Sequence, residues 1–133
     1  MTDKDIKRKN TGILGENIAC EMLEGRGMTI LERNWRAGHK EIDIICRDGA
    51  DLRFVEVKSR KEPLQGQAWE AVDKTKQHTL GEAAKAYING GRMKTLGFYP
   101  GEYHFDIVTV VWNENGDEYS TKYIPDAYIL IYA

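Results

Sequence analysis

Glu41, Asp43 and Glu56, followed by Lys58, are the residues of this chain best placed to do chemistry. They fall in two apolar-polar alternating runs, Glu41 to Cys46 and Arg53 to Lys58, with the period of two expected of strands. Asp48-Gly49 between the runs is a hairpin signal. A two-residue loop there sets Asp43 opposite Phe54 and diagonal to Glu56, whereas a four-residue loop through Asp51 sets Asp43 directly opposite Glu56. Either register puts Asp43, Glu56 and Lys58 on one face, and a slip by one residue would remove Asp43 from it. Carboxylates about 5 Å apart at Cβ repel each other, and their partial burial is costly unless a cation lies between them. A hard divalent ion suits such a pair, and Mg²⁺ or Mn²⁺ held by one or two carboxylates keeps waters and room for a substrate phosphate. An ion so held can activate water and absorb the charge of a phosphodiester under attack. Lys58, beside two carboxylates, is expected to stay protonated and to act on that charge electrostatically.

The flanking sequence has to position this hairpin. A helix capped by Asn10 or Thr11 is predicted through Glu24, with Ile13, Leu14, Ile18, Met22 and Leu23 as its apolar side and Gly25 or Gly27 at its end. Glu16 shares a face with Cys20 and Leu23, so it borders the core. Met28 to Arg36 reads as the first strand. Arg33, Arg36, His39 and Lys40 crowd the entry to the hairpin beside Trp35, which suits a phosphate path as well as it suits an ordinary solvated turn. Arg60, in the polar stretch beyond Lys58, is grouped with these candidate contacts to nucleic acid. A helix is predicted from about Ala68 to Asn89, with Trp69, Val72, Leu80, Ala83, Ala84 and Tyr87 on its buried side. Arg92 to Glu102 reads as a loop, Tyr103 to Trp112 as a strand and Tyr119 to Tyr132 as a last strand. Asp106 is assigned a structural role, since no partner carboxylate stands near it in sequence. Tyr123, Tyr128 and Tyr132 suit either a dimer surface or core cover.

Asp43, a short hairpin and Glu56-Val57-Lys58 resemble the signature of the PD-(D/E)xK phosphodiesterase superfamily. Gly15-Glu16, Asn34-Trp35-Arg36, Glu41-Ile42-Asp43-Ile44-Ile45 and Phe54-Val55-Glu56-Val57-Lys58, in that order, resemble more closely the YraN-like uncharacterised family, described as similar to archaeal Holliday-junction resolvases. The match runs in spaced motifs from about Gly12 to Tyr87, and more weakly through Phe105-Asp106-Ile107-Val108. Two positions depart from the pattern: Ile42 stands where the superfamily has proline, and Lys40 where the close family usually has glycine. The resemblance implies an α/β, restriction-endonuclease-like three-layer fold with a central mixed β-sheet flanked by helices. It implies a metal-dependent endonuclease acting on DNA, branched or junction DNA included, and a homodimer if two phosphates are cut symmetrically. It also implies Glu16 as a further metal ligand, direct or through water, and the Val57 carbonyl as another. In similar nucleases a basic or glutamine residue of the second helix faces the site, which makes Lys74, Lys76 and Gln77 candidates; a solvated helical face explains them equally. The alternative is a non-catalytic nucleic-acid-binding module that retains the fold, against which stand the intact Asp43, Glu56 and Lys58.

The 133 residues, 41% of them hydrophobic, suit one domain over residues 11–133 behind a flexible basic arm over residues 1–10 that carries Lys4, Lys7, Arg8 and Lys9. A net charge of −2 and a pI near 5.9 give no global sign of a nucleic-acid binder, so any such role must rest on local charge. Cys20 and Cys46 lack metal-binding spacing and read as core thiols of a reducing compartment. The charged N-terminus is unlike a signal peptide, and no run approaches the roughly 18 apolar residues of a membrane span. A cytoplasmic location is expected.

Overall fold

Ile42, Ile44, Ile45 and Cys46 make one strand apolar on both faces, so it must be covered from two sides. The computed structural model, which describes residues 3–62 and 74–127, with side chains from residue 12 in the first helix and from residue 75 in the second, supplies that cover. The elements are α1 (Asp3–Gly25), β1 (Thr29–Ala37), β2 (Lys40–Asp48), β3 (Asp51–Lys61), α2 (Lys74–Asn89), α3 (Arg92–Leu96), β4 (Tyr103–Trp112) and β5 (Tyr119–Ile124). On one side of the sheet Ala19, Cys20 and Leu23 of α1 pack with Ile44, Cys46, Val55, Val108 and Val110. On the other, Ala83, Ala84 and Tyr87 of α2 pack with Ile42, Ile45, Leu52 and Phe54. The result is a three-layer α/β fold around a mixed sheet of order β1-β2-β3-β4-β5.

Only β3 and β4 run parallel, from Leu52↔Tyr103 to Lys61↔Trp112, and the chain between them returns by way of α2 and α3, as a parallel pair requires. This ladder explains why β3 continues past Lys58: Ser59, Arg60 and Lys61, expected in a loop, pair with Val110, Val111 and Trp112. Helix α1 begins at Asp3, ahead of the expected cap at Asn10 or Thr11, so the backbone of the basic segment belongs to the helix. Part of the expected loop after Arg92 is α3, bounded by Gly91 and Gly97 in the left-handed region at φ 84° and 66°. Strand β5 ends at Ile124, where Pro125 cannot donate to the ladder and Asp126 turns at φ 50°. Trp69, Val72, Tyr128 and Tyr132 lie outside the described residues.

Asp106 is structural and fully buried. Its carboxylate accepts from Arg53 Nη1 at 3.2 and 3.1 Å, from the Tyr123 hydroxyl at 2.6 Å and from the Asp126 backbone N–H at 2.8 Å. Arg53 Nε donates in turn to Asp48 at 2.8 Å, so one buried anion ties β2, β3, β4 and the turn after β5 together. Asp106→Ala, which strands Arg53 without its buried partner, is expected to lower unfolding free energy by about 3–5 kcal/mol. An unchanged midpoint in urea unfolding would contradict this role.

Candidate metal centre and its cleft

The β2–β3 ladder runs from Asp48↔Asp51 to Ile44↔Val55 and stops there. Its turn is Gly49-Ala50, with Gly49 at φ 59°, and the register, continued one step, is the one that sets Asp43 across from Glu56. Strict alternation fails at this point. Ile42 and Ile45 enter the α2-side core while Ile44 and Cys46 enter the α1-side core, although Ile42, Ile44 and Cys46 were expected to share a face. The break coincides with a feature across the strand pair: Asn34 sits in the left-handed region at φ 50°, between the pairs Arg33↔Ile44 and Trp35↔Ile42, at the level of Asp43.

The expected common face is not formed: Asp43 lines a cleft on the α1 side, whereas Glu56 and Lys58 do not line it. From the α1 side come Glu16 and the main chain of Val57. Asp43 Oδ2 accepts from the Val57 N–H at 2.8 Å. The Glu16 carboxylate accepts from Asn34 Nδ2 at 3.1 Å, with Arg33 Nη2 at 3.9 Å. Glu16, Asn34, Asp43, Val57, Ser59 and Arg60 line a cleft of about 380 Å³, together with Gly12 and Ile13. From the α2 side, Glu56 and Lys58 are buried in β3, and Lys76 of α2 forms an ion pair with Glu56 Oε1. The other Glu56 oxygen is buried with no hydrogen-bond partner among the described residues.

Electrostatics follow from this packing. Burial, reinforced by Glu16, Glu56 and Glu41 against the single Val57 N–H, pushes the Asp43 carboxyl up to about 6. Burial also lowers the Lys58 ammonium from its ordinary value; Glu56 opposes the shift, and Lys76 and Arg60 add to it. The expectation that Lys58 sits beside two carboxylates is thus corrected, since Glu56 alone acts on it as an attracting charge against two cations. An underdonated acidic pair with one buried oxygen unsatisfied among the described residues fits a hard divalent ion, to which Asp43, Glu56, Glu16 and the Val57 carbonyl are the available oxygen donors.

The remaining expected residues divide. Arg33 is pinned to α1 through Asn17 Oδ1 at 2.7 Å and stays at the cleft, and Arg60 lines it. Arg36 pairs with Glu41 at 3.5 Å, and His39 and Lys40 form the tip of the β1–β2 hairpin behind Gly38, so these three do not line the cleft. Gln77 is half-buried on α2; Lys74 opens that helix, and its side chain lies outside the described residues. Three contributors were not seen as such in the sequence. Asn34 orients Glu16, Ser59 lines the cleft, and Gly15 lets α1 approach β3, since a Cβ there would fall 2.9 Å from both Cβ and Oγ of Ser59. Asn34 and Gly15 had drawn notice only as motif residues.

Among the described residues the three donors whose ligand atoms all lie within 4.8 Å of one another are Asp51, Glu102 and His104; Glu16, Asp43 and Glu56 are not gathered so closely. No metal identity follows from that grouping. His104 Nε2 lies 2.9 Å from Asp51 and Nδ1 lies 2.6 Å from Asp126. Both ring nitrogens can donate at once only in the imidazolium form. Burial opposes that form, but the bonds to Asp51 and Asp126 outweigh it and hold the imidazole above its ordinary 6.5.

The fold is a three-layer α/β domain with a cleft on its α1 side lined by Glu16 and Asp43. Residues 15–110 match the uncharacterised protein family UPF0102. Similar proteins of that family include one from Dictyoglomus turgidum, 37% identical over 92% of this chain and 100% of its own length, and one from Clostridium kluyveri, 40% identical over 90% and 94%. A Clostridium tetani protein is 38% identical over 92% of this chain and 96% of its own. The chain belongs to the UPF0102 family, in accord with its YraN-like motifs.

Two outcomes test this geometry. Gly15→Ala is expected to lower stability by about 1–3 kcal/mol through overpacking against Ser59, measured by urea unfolding; an unaltered midpoint would refute the close approach. For His104 the folded pKa is raised, so its contribution is complete below about 6.5 and disappears as pH rises through the folded value. The stability difference between wild type and His104→Gln should therefore be larger at pH 6 than at pH 9, and thermal melts at the two pH values compare them directly.

Proposed function

We propose that this protein is a metal-dependent endonuclease that hydrolyses phosphodiester bonds in DNA. The observation that carries the reading is the buried oxygen of Glu56, unpartnered among the described residues and one step beyond the end of the β2–β3 ladder, with Lys58 buried two residues further on. A bound Mg²⁺ or Mn²⁺ would supply Lewis acidity and a water acidified toward neutral pH. Asp43 and Glu56 would hold it, with Glu16 and the Val57 carbonyl as further donors. Asn34 keeps the Glu16 carboxylate turned into the cleft. Lys58 directs positive charge at the phosphoryl oxygens as water adds to phosphorus and the P–O bond to the leaving sugar oxygen breaks. Arg33 and Arg60, at the mouth of the cleft, suit contact with the flanking phosphates.

The superfamily resemblance supports branched or junction DNA as the substrate, recognised by backbone and shape, with a homodimer where paired cuts are made. It supports a restriction-endonuclease-like identity for the three-layer fold and a single nuclease-like domain over residues 11–133. Free Cys20 and Cys46, both buried, accord with a cytoplasmic setting, and no helix among the described residues is long and apolar enough to cross a membrane. One observation favours the second reading, a non-catalytic nucleic-acid-binding module: Lys76 already neutralises part of Glu56.

The test follows labelled single-stranded, duplex, flap and four-way-junction DNA incubated with wild type or Glu56→Gln in Mg²⁺ and in Mn²⁺. Wild type is expected to cut and the variant to lose about 100-fold or more, the scale of removing one charge-stabilising group. If both proteins bind DNA and neither cuts any form, the module reading replaces the enzyme.

A further inference from the structure

We infer that Lys76 is an internal counter-ion of the carboxylate site, seated on Glu56 until a divalent cation displaces it; this rests on the metal-dependent reading above. Glu56 is a buried acid whose side chain is only 10% exposed, and its ion pair with Lys76 leaves its second oxygen unsatisfied among the described residues. A single ammonium therefore supplies only part of what this carboxylate needs. A divalent ion held by Glu56, with Asp43 as a further donor, would satisfy the rest.

Lys76 and Arg60 both act on Lys58 as like charges, against the attraction of Glu56. A doubly charged ion held at Glu56 would add to that repulsion, and withdrawal of one of the three cations would relieve it. Lys58 is 6% exposed in the middle of β3 and cannot leave without repacking the sheet. Arg60 is exposed and donates to the Ser59 carbonyl, at the cleft and not at Glu56. Lys76 stands near the start of α2 with a side chain 51% exposed, and its flexible stem can carry the ammonium into solvent with the helix left in place. Competition for one carboxylate is reciprocal: whatever the lysine contributes to the metal-free state, the metal must overcome.

The consequence is measurable without DNA. Mn²⁺ binding to the full chain is followed by the electron paramagnetic resonance of free Mn²⁺ and, separately, by the melting temperature with and without Mn²⁺, for wild type, Lys76→Met and Glu56→Gln. Lys76→Met is expected to bind Mn²⁺ about tenfold more tightly than wild type, within the usual range of such couplings. It should also melt lower than wild type without metal, through the loss of its partner for Glu56, and gain more on adding Mn²⁺. Glu56→Gln should bind weakly whichever residue stands at position 76. If wild type binds Mn²⁺ and Lys76→Met binds it equally or more weakly, the exchange is refuted while the metal centre stands. If neither binds, the exchange falls together with the metal-dependent reading. Should Lys76→Met fail to fold, Lys76→Gln carries the same comparison.

Discussion

A carboxylate removed from water has to be given positive charge or donors, and this fold meets that demand in two opposite ways. Asp106 receives a guanidinium twice over, a phenol and a main-chain N–H, which leaves its anion nothing further to bind. Among the described residues, Asp43 receives one N–H, and Glu56 receives one lysine on one oxygen. The two kinds of acid stand on adjacent strands of one sheet, Asp106 beside Val55 and Glu56 immediately after it. What separates Asp106 from Glu56 is donor count, since both are buried.

The incompletely donated acids persist because the sheet opens at their level. Beyond Ile44↔Val55 the ladder between β2 and β3 ends, while β3 stays fully paired with β4 on its other side. That asymmetry holds Glu56 and Lys58 rigidly on a central strand and leaves Asp43 on a strand no longer paired with it. Helix α1 closes the gap from one side only because Gly15 presents no side chain to Ser59, whose hydroxyl is in turn fixed by Trp112 Nε1 at 2.9 Å. The acid of the helix and the acid of β2 are thus brought to one cleft by separate packing constraints, while Glu56 stays in the central strand against α2.

Much of this arrangement is legible in the order of residue types. Alternation located β2, β3 and β4, and hairpin parity narrowed the register to two, of which the structure follows the one that leads Asp43 toward Glu56, because a period of two leaves few registers to choose from. The structural character of Asp106 followed from its lack of acidic neighbours, but Arg53 as its partner did not, because sequence does not reveal which residues a parallel ladder brings side by side. The break in alternation escaped notice for a related reason: Asn34 is an ordinary strand residue by type, and only its left-handed backbone marks the level at which Ile42 and Ile44 part. The His104 cluster was equally invisible, since Asp51, Glu102 and Asp126 reach it from the start of β3, the approach to β4 and the turn after β5. The extension of α1 to Asp3 shows that polar composition is a weak guide to where a helix begins once further turns can be added to an existing one.

The irregularity of β1 also bears on how the sheet ends. β1 is an outer strand, and an open edge is a template onto which another chain's strand can be added. Its register shifts between Ile30 and Glu32, its backbone reverses hand at Asn34, and Glu32, Arg33 and Arg36 place charge along it. No straight row of free main-chain groups survives these interruptions. The irregularity at the level of Asp43 therefore serves a purpose on its far side, where it protects the domain from sheet-to-sheet aggregation.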